Sequence, residues 1–223
     1  MISVITADII ASSVLEDRLL ERTLDTLKTE FNSIQDDYGK EKVNFKIYRG
    51  DSFQGILKIP EDSLHLVLQL KTAVNRLGGD KGTARAQAIP VDFKVAIGIG
   101  SQDLEREAIA ESNGQAFQFS GRTLDEMKNE NRRTALTTPN EDINGEFRTS
   151  LLLLDTITDK WSTASAEVIY YSLKGLKEKE IAAILKISQS AVNQRKKAAG
   201  WEAVALLLER FKEAISKKLL DGK

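Results

Sequence analysis

The sequence predicts an α+β sandwich of the ferredoxin-like kind followed by an all-α helix-turn-helix domain. Three observations carry this prediction: the order of strands and helices before residue 140, a run of short helical patterns after residue 160, and a change in net charge between the two parts. The first part has the order strand, helix, hairpin, helix, strand, helix, strand, which is typical of helices packed on an antiparallel sheet. We predict an α+β domain over residues 1–140, a connecting helix over 141–160 and a helix-turn-helix domain over 161–223.

The first strand spans residues 2–10 and is apolar on both faces, which is typical of a central strand covered on both sides. Asp8 lies near its end. An ionised carboxylate in such a place is costly unless it has a partner, a proton or a metal. The alternative is that Asp8 caps a helix starting near Val14.

A β-hairpin is predicted over residues 45–59, because its odd positions are mostly apolar and its even positions mostly polar. The Gly50-Asp51 pair predicts a tight two-residue turn, in which Gly50 takes a positive φ. Asp51 then lies at the hairpin tip, either as an ordinary turn residue or as a second carboxylate beside Asp8.

The remaining elements of the first part follow from hydrophobic spacing and from glycine or proline stops. Helices are predicted over residues 15–38 and 61–77 and from Gly114, with strands over 91–100 and 132–138. The single histidine, His65, is interpreted as a surface or packing residue. The two glycines of the strand over 91–100 would let a backbone or a ligand approach closely. Residues 79–90 form a polar loop whose Lys81 and Arg85 could contact phosphate.

Composition narrows the function classes. The chain has no cysteine, so disulfides and thiolate metal sites are excluded and a reducing compartment fits. It has neither an apolar run of about 18 residues nor an export leader, so we expect a cytoplasmic protein without a membrane partner. Residues 160–223 hold 13 of the 32 basic and 7 of the 33 acidic residues, which suggests that the second part faces a polyanion.

Three short helices are predicted over residues 165–173, 177–185 and 189–198, with a turn over 186–188. Ser188 is placed as the N-cap of the third helix. The spacing of five apolar or small residues is typical of a helix-turn-helix core: Ile181, Ala182, Leu185, Ile187 and Val192. This segment resembles the winged or sigma-region-4-like helix-turn-helix of bacterial regulators. The resemblance implies that the third helix enters the major groove of DNA.

The candidate DNA-binding residues lie on or just before this third helix: Ser188, Gln189, Ser190, Asn193, Gln194, Arg195, Lys196 and Lys197. All those on the helix, including the Arg-Lys-Lys run, are expected to be exposed. Gln and Asn can bond adenine with two hydrogen bonds, and the Arg-Lys-Lys run can neutralise phosphate. The alternative is a helical hairpin used for protein contacts or dimerisation. A last amphipathic helix from Trp201 is expected to close the small core, with a dimer contact as its alternative role.

Three segments resemble the elements of class III nucleotidyl cyclases in the same order: Asp8 in Ala-Asp-Ile-Ile, Asp51 in Arg-Gly-Asp-Ser-Phe, and residues 114–122. The resemblance implies that Asp8 and Asp51 hold Mg²⁺, that Gln118 orients a ribose, and that Arg122 neutralises the triphosphate. Gln118 replaces the asparagine of those enzymes. Where they read adenine with Lys and Asp, this chain has Ile47 and Glu111.

The order of four short motifs is similar to that of the SatD family over most of the chain. These motifs are residues 5–10 (Ile-Thr-Ala-Asp-Ile-Ile), residues 50–57, residues 97–100 (Ile-Gly-Ile-Gly), and residues 113–117 followed by Arg122.

Together these observations predict a DNA-binding transcriptional regulator whose cyclase-like domain binds a nucleotide or a partner. The alternative is a Mg²⁺-dependent nucleotidyl cyclase or another enzyme acting on nucleoside triphosphates. A homodimer is expected, because helix-turn-helix proteins read two half-sites and cyclase-like sites form between two subunits.

Overall fold

The computed structural model describes residues 1–48, 50–77, 91–102 and 114–220. The predicted loop with Lys81 and Arg85, and also Glu111, lie outside the described residues. The strands are β1 (Ile2–Ile9), β2 (Val43–Tyr48), β3 (Ser52–Leu57), β4 (Phe93–Gly100) and β5 (Thr134–Thr137). The helices are α1 (Asp17–Tyr38), α2 (Ser63–Asn75), α3 (Gln115–Met127), α4 (Glu141–Thr158), α5 (Thr163–Leu173), α6 (Glu178–Leu185), α7 (Gln189–Ala198) and α8 (Trp201–Ile215).

The five strands form one sheet in the order β2-β3-β1-β4-β5. The central strand β1 is antiparallel to both β3 and β4, and β5 joins β4 in parallel. Apolar residues of α1 and α2 share a buried cluster with Ile5, Phe53 and Ile97 on one face of the sheet. The other face carries Val4, which packs with Ala116 of α3. This arrangement confirms the predicted α+β sandwich, including the central, doubly covered first strand.

The hairpin connection is longer than predicted. Tyr48 lies opposite Ser52, so three residues separate these paired positions, and Gly50 has φ 78°. The reason lies in the alternation itself. Residues directly opposite each other in an antiparallel pair share a face, so odd positions of both strands can face the core only when an odd number of residues separates the strands.

Helix α2 is buried almost all round, since every one of its residues except His65 is buried. It lies between the sheet and α5, and one continuous buried cluster includes Leu64 of α2, Ile169 of α5 and Phe211 of α8. His65 is half-buried, and this burial lowers its pKa. The C-terminal helices therefore share a core with the sheet. The domain limits at residues 140 and 160 stay a prediction.

The two glycines of β4 bring α3 close to the sheet. A Cβ atom at Gly98 would lie 2.3 Å from the Ala116 carbonyl oxygen and 2.5 Å from the Ser120 nitrogen, and one at Gly100 would lie 2.9 Å from the Ala116 nitrogen. The close approach predicted for these glycines is thus made by the α3 backbone.

A buried ion pair anchors the start of β4. The Lys71 ammonium lies 2.7 and 2.8 Å from the two carboxylate oxygens of Asp92, and Arg133 donates to the same carboxylate at 2.9 Å. Next to it, the Asp155 carboxylate of α4 accepts hydrogen bonds from the Arg133 and Thr134 backbone at 2.7 and 3.1 Å. These contacts join α2, β4, β5 and α4 at one end of the sheet. No helix in the described part of the chain is long and apolar enough to cross a membrane.

Candidate functional site

The sheet brings Asp8 and Asp51 to the same end of β1 and β3. Asp8 lies directly opposite Ser52, and the Ile9 backbone nitrogen donates to the Asp51 carbonyl oxygen at 2.9 Å. Both carboxylates are half-buried. That of Asp51 accepts hydrogen bonds from the Ser12 hydroxyl at 2.9 Å and the Ser52 hydroxyl at 3.3 Å. Asp51 is therefore held in place by two hydroxyl groups.

The alternative role of Asp8 as a helix cap is wrong. The short 3₁₀ turn Ser12–Val14 follows Ala11 and has no side-chain cap, and α1 begins only at Asp17, also without one. Across the other edge of β1, Asp8 lies opposite Lys94. The Lys94 ammonium donates to the Met127 and Glu130 carbonyl oxygens at 2.5 and 2.9 Å. Lys94 thus binds two carbonyl groups at and just beyond the end of α3, a role that the sequence pattern did not indicate.

Two carboxylates at one sheet end fit a shared magnesium ion. Mg²⁺ is usually bound by one or two carboxylates together with phosphate oxygens and waters, so a third protein ligand is not required. In the described ranges, no three His, Cys, Asp or Glu side chains cluster to hold a metal by themselves. The donor set of Asp8 and Asp51 therefore fits an ion completed by a phosphate ligand better than a cage made by protein alone.

Gln118 and Arg122 lie on the exposed side of α3, one turn apart. The inner side of the helix faces the sheet, where the Thr6 hydroxyl donates to the Ser120 hydroxyl at 3.0 Å and Gln54 donates to Thr6 at 3.1 Å. Thr6 is two residues from Asp8 on β1, so α3 lies on the same face of the sheet as the Asp8 side chain. The described contacts include none between these two α3 side chains and either aspartate. Sequence reasoning missed Thr6, Gln54 and Ser120, although a polar residue inside an apolar strand is a usable signal.

The second candidate site is the pair α6 and α7. Lys186 ends α6 with a left-handed φ of 53°, and the Ser188 hydroxyl accepts a hydrogen bond from the Ala191 nitrogen at 3.1 Å, as expected of an N-cap. A separate buried cluster joins the three helices α5, α6 and α7 through Val168, Ile181, Ala182 and Val192, with Leu185 and Ile187 packed against it. The predicted cap, turn and core of the helix-turn-helix are confirmed.

The exposed side of α7 is narrower than predicted. Six of the candidate residues are exposed: Ser188, Gln189, Ser190, Asn193, Gln194 and Lys197. Arg195 and Lys196 are instead only 32% and 21% exposed. Arg195 lies 3.7 Å from the Glu167 carboxylate of α5, and Lys196 lies 3.4 Å from Glu178 of α6. The prediction that the whole Arg-Lys-Lys run is exposed is wrong, because its first two residues point toward neighbouring helices that carry acids.

Comparison with known proteins shows to which family this chain belongs. The model of the SatD family matches residues 1–215. The chain belongs to the SatD family. This confirms the resemblance predicted from the order of its motifs. A search of curated proteins found no match to this SatD chain.

Several solved structures are similar to part of the SatD chain. A bacterial light-regulated adenylyl cyclase is 12% identical, with a TM-score of 0.40 over 61% of this chain and 74% of that one. The active GGEEF domain of a diguanylate cyclase from Vibrio cholerae is 17% identical, with a TM-score of 0.42 over 62% and 83%. The catalytic core of a rhodopsin-guanylyl cyclase with converted specificity is 15% identical, with a TM-score of 0.38 over 56% and 71%.

Proposed function

We propose that this SatD-family chain is a DNA-binding transcriptional regulator that reads DNA with α7, and that its sheet domain binds a nucleotide or a partner that sets this activity. The observation that carries the proposal is the exposed, polar N-terminal half of α7, mounted on a packed three-helix core. In a helix-turn-helix, the N-terminal half of the recognition helix, here α7, contacts base edges in the major groove. A cytoplasmic homodimer belongs to the same proposal.

The chemistry of α7 supports a nucleic-acid partner. The helix contains no Asp or Glu, and only Val192 is buried. Its exposed amides, Gln189, Asn193 and Gln194, can each bond adenine through N6 and N7. Two acids of neighbouring helices, Glu167 and Glu178, pair with Arg195 and Lys196. Lys197 is left as the exposed cation of the run, suited to a phosphate contact.

Changing the α7 amides and Lys197 should affect DNA binding in two different ways. Asn193→Ala with Gln194→Ala is expected to weaken binding to a selected duplex by about 10- to 100-fold for each lost bidentate contact, and to leave the salt dependence unchanged. Lys197→Ala is expected to weaken binding to all duplexes alike and to lower the slope of log K against log salt by about 1. Fluorescence anisotropy at several salt concentrations measures both, with duplexes first selected from a random-sequence pool.

The matched control is Lys40→Ala, which removes an exposed lysine from the connection between α1 and β2. It should leave affinity and salt slope at their wild-type values. Wild-type protein that binds no duplex of the pool at low salt would contradict the proposal and favour protein contacts as the role of these helices. Equal losses in the Lys40 and Lys197 variants would contradict the assigned surface.

A second candidate function is favoured by the juxtaposition of Asp8 and Asp51: Mg²⁺-dependent binding of a nucleoside triphosphate, with Gln118 and Arg122 as its nucleotide contacts. Bound Mg²⁺ would neutralise charge on the phosphates, and it is also the ion that an enzymatic role would use. The alternative hypothesis, an enzyme acting on nucleoside triphosphates, requires that the chain also turns over a triphosphate. This turnover is measured in the same samples.

Removing the two carboxylates should abolish this binding. In calorimetry with Mg²⁺ and each of the four triphosphates, Asp8→Ala with Asp51→Ala is expected to weaken binding by more than about tenfold, since both proposed protein ligands of the ion are lost. The control is Asp125→Ala, which removes an exposed carboxylate that pairs only with Lys128 among the described residues. Equal affinities in wild type and double variant would eliminate the magnesium site.

A further inference from the structure

We infer that a cleft between α1, α2 and α5 is a binding site for a phosphate-bearing small molecule. This cleft, here called the joint cleft, has a volume of about 430 Å³. Three cations and two carboxylates line it, together with a tyrosine: Arg22, Arg76, Lys174, Asp25, Glu30 and Tyr170. None of the candidate magnesium and DNA-binding residues lines it.

The two carboxylates of the joint cleft are already compensated. Glu30 is only 3% exposed, and its oxygens accept hydrogen bonds from Gln69 at 2.6 Å and from the Tyr170 hydroxyl at 2.7 Å. The Lys174 ammonium lies 3.2 Å from the same carboxylate. Asp25 is exposed and pairs with Lys28 at 3.1 Å. These two acids are therefore engaged by other groups and do not pair with Arg76.

Arg76 is the residue that points most directly to an anion. Its guanidinium carbon lies 3.8 Å from the centroid of the Tyr170 ring, and the side chain is half-buried. No oxygen of the described residues accepts a hydrogen bond or an ion pair from this guanidinium. The Tyr170 ring stacks on the flat face of the Arg76 guanidinium. The N–H donors of the guanidinium point outward from its edge, in the plane of the group. Such a guanidinium is preorganised to bind an oxyanion with two parallel hydrogen bonds.

The rest of the joint cleft fits a phosphate ester. Arg22 is held on the same cleft by a hydrogen bond from its Nη2 to the Leu77 carbonyl oxygen at 3.3 Å. Thr26, Thr29 and Ser33 of α1 also line the cleft. The volume is larger than phosphate alone requires and falls in the usual range for small-molecule sites, about 300–1,000 Å³. A phosphate group on a small organic molecule therefore satisfies both charge and size.

The position of the cleft also suggests what the ligand does. Arg22 and Arg76 belong to the part of the chain that packs on the sheet, whereas Tyr170 and Lys174 belong to α5 and its end. α5 in turn contributes Val168 to the core beneath α7. A ligand that contacts Arg22 and Arg76 on one side and Tyr170 and Lys174 on the other changes the strength of the interaction of α5 with α1 and α2. We assign it the role of an effector of DNA binding, an assignment that rests on the proposed function.

Calorimetry with inorganic phosphate and with adenosine monophosphate, both in EDTA, tests the site itself. Wild type is expected to bind the monophosphate saturably at one site per chain, and Arg76→Gln to bind it at least about tenfold more weakly, the loss expected for one charge-assisted contact. Arg76→Lys keeps the positive charge but lacks the planar guanidinium that can donate two parallel hydrogen bonds, so an intermediate affinity is expected. The control Arg148→Gln removes an exposed arginine of α4 and should match wild type.

Wild type that shows no saturable binding, or an Arg76→Gln variant with wild-type affinity, overturns the site. Circular dichroism and thermal melting verify that each variant folds. If Arg76→Gln does not fold, the comparison of Arg76→Lys with Arg148→Gln decides. The EDTA excludes the magnesium-dependent site, and Asp8→Ala with Asp51→Ala should bind the monophosphate as wild type does. Loss of binding in that double variant would place the ligand elsewhere and overturn the inference.

The effector role is tested by DNA-binding anisotropy with and without the monophosphate. A severalfold change in DNA affinity that is lost in Arg76→Gln supports it, and an unchanged affinity overturns it. If wild type binds no DNA at all, the proposed function fails and the effector role fails with it. The calorimetric result on the joint cleft is independent of that outcome.

Discussion

Replacing Gly98 by alanine is expected to separate α3 from the sheet and to lower the free energy of unfolding by about 1–3 kcal/mol or more. The added Cβ atom would lie 2.3 Å from the Ala116 carbonyl oxygen and 2.5 Å from the Ser120 nitrogen. Both atoms belong to the helix backbone, so no side chain can rotate away to make room. The helix has to move, which also strains the 3.0 Å hydrogen bond between Thr6 and Ser120.

The matched control is Gly121→Ala, because Gly121 lies in α3 itself and a Cβ atom there meets nothing within 4 Å. Alanine is the better helix former, so this variant is expected to be more stable than wild type by up to about 1 kcal/mol. Urea unfolding followed by circular dichroism measures both. Equal stability of the two variants would show that α3 tolerates displacement and that the close contact has no energetic consequence.

The second large effect is expected from Asp92→Ala, which should lower the free energy of unfolding by about 3–5 kcal/mol. Lys71 is only 1% exposed. Its ammonium donates to both oxygens of the Asp92 carboxylate, which is its one ion-pair partner among the described residues. Removing that carboxylate leaves a buried ammonium with no ion-pair partner among the described residues. The variant also removes the acceptor for Arg133 and for the Phe93 nitrogen.

Two further variants separate the ion pair from local packing. Lys71→Met combined with Asp92→Ala removes both charges and should recover much of the stability lost in the single variant. Asp125→Ala breaks the exposed pair with Lys128 and should change stability by less than about 1 kcal/mol. Chemical denaturation compares the free energies of unfolding of the four proteins. A double variant no more stable than Asp92→Ala would mean that the loss comes from packing or from the Arg133 contact.

Hydrophobic periodicity predicted the elements well, because it reports which side of each segment is buried. The helix predicted over residues 189–198 has the bounds of α7, and the helix predicted from Trp201 starts where α8 starts. The cap at Ser188 was predicted from residue type alone. The alternation of apolar and polar positions in the hairpin also indicates the correct length of its connection. Odd positions are apolar on both strands, which is compatible with the observed three residues and not with two.

Side-chain partners were not predictable in this way. Arg195 and Lys196 look identical to Lys197 along the chain, and only the placement of α5 and α6 shows that Glu167 and Glu178 pair with them. Asp8 looked like a possible helix cap until the start of α1 was known. Close approach at Gly98 was predicted, but whether a ligand or a backbone makes it depends on where α3 lies.

The sequence by itself determined the α+β order, the central strand, the helix-turn-helix core and the SatD-family resemblance, since each depends on local spacing or on the order of motifs. Only the tertiary structure decided which charges are free to bind a ligand. Glu30 and Tyr170 are 140 residues apart in the chain and hydrogen-bonded at 2.7 Å in the fold. A charged side chain is satisfied by whatever packing brings next to it, and neither periodicity nor composition contains that information.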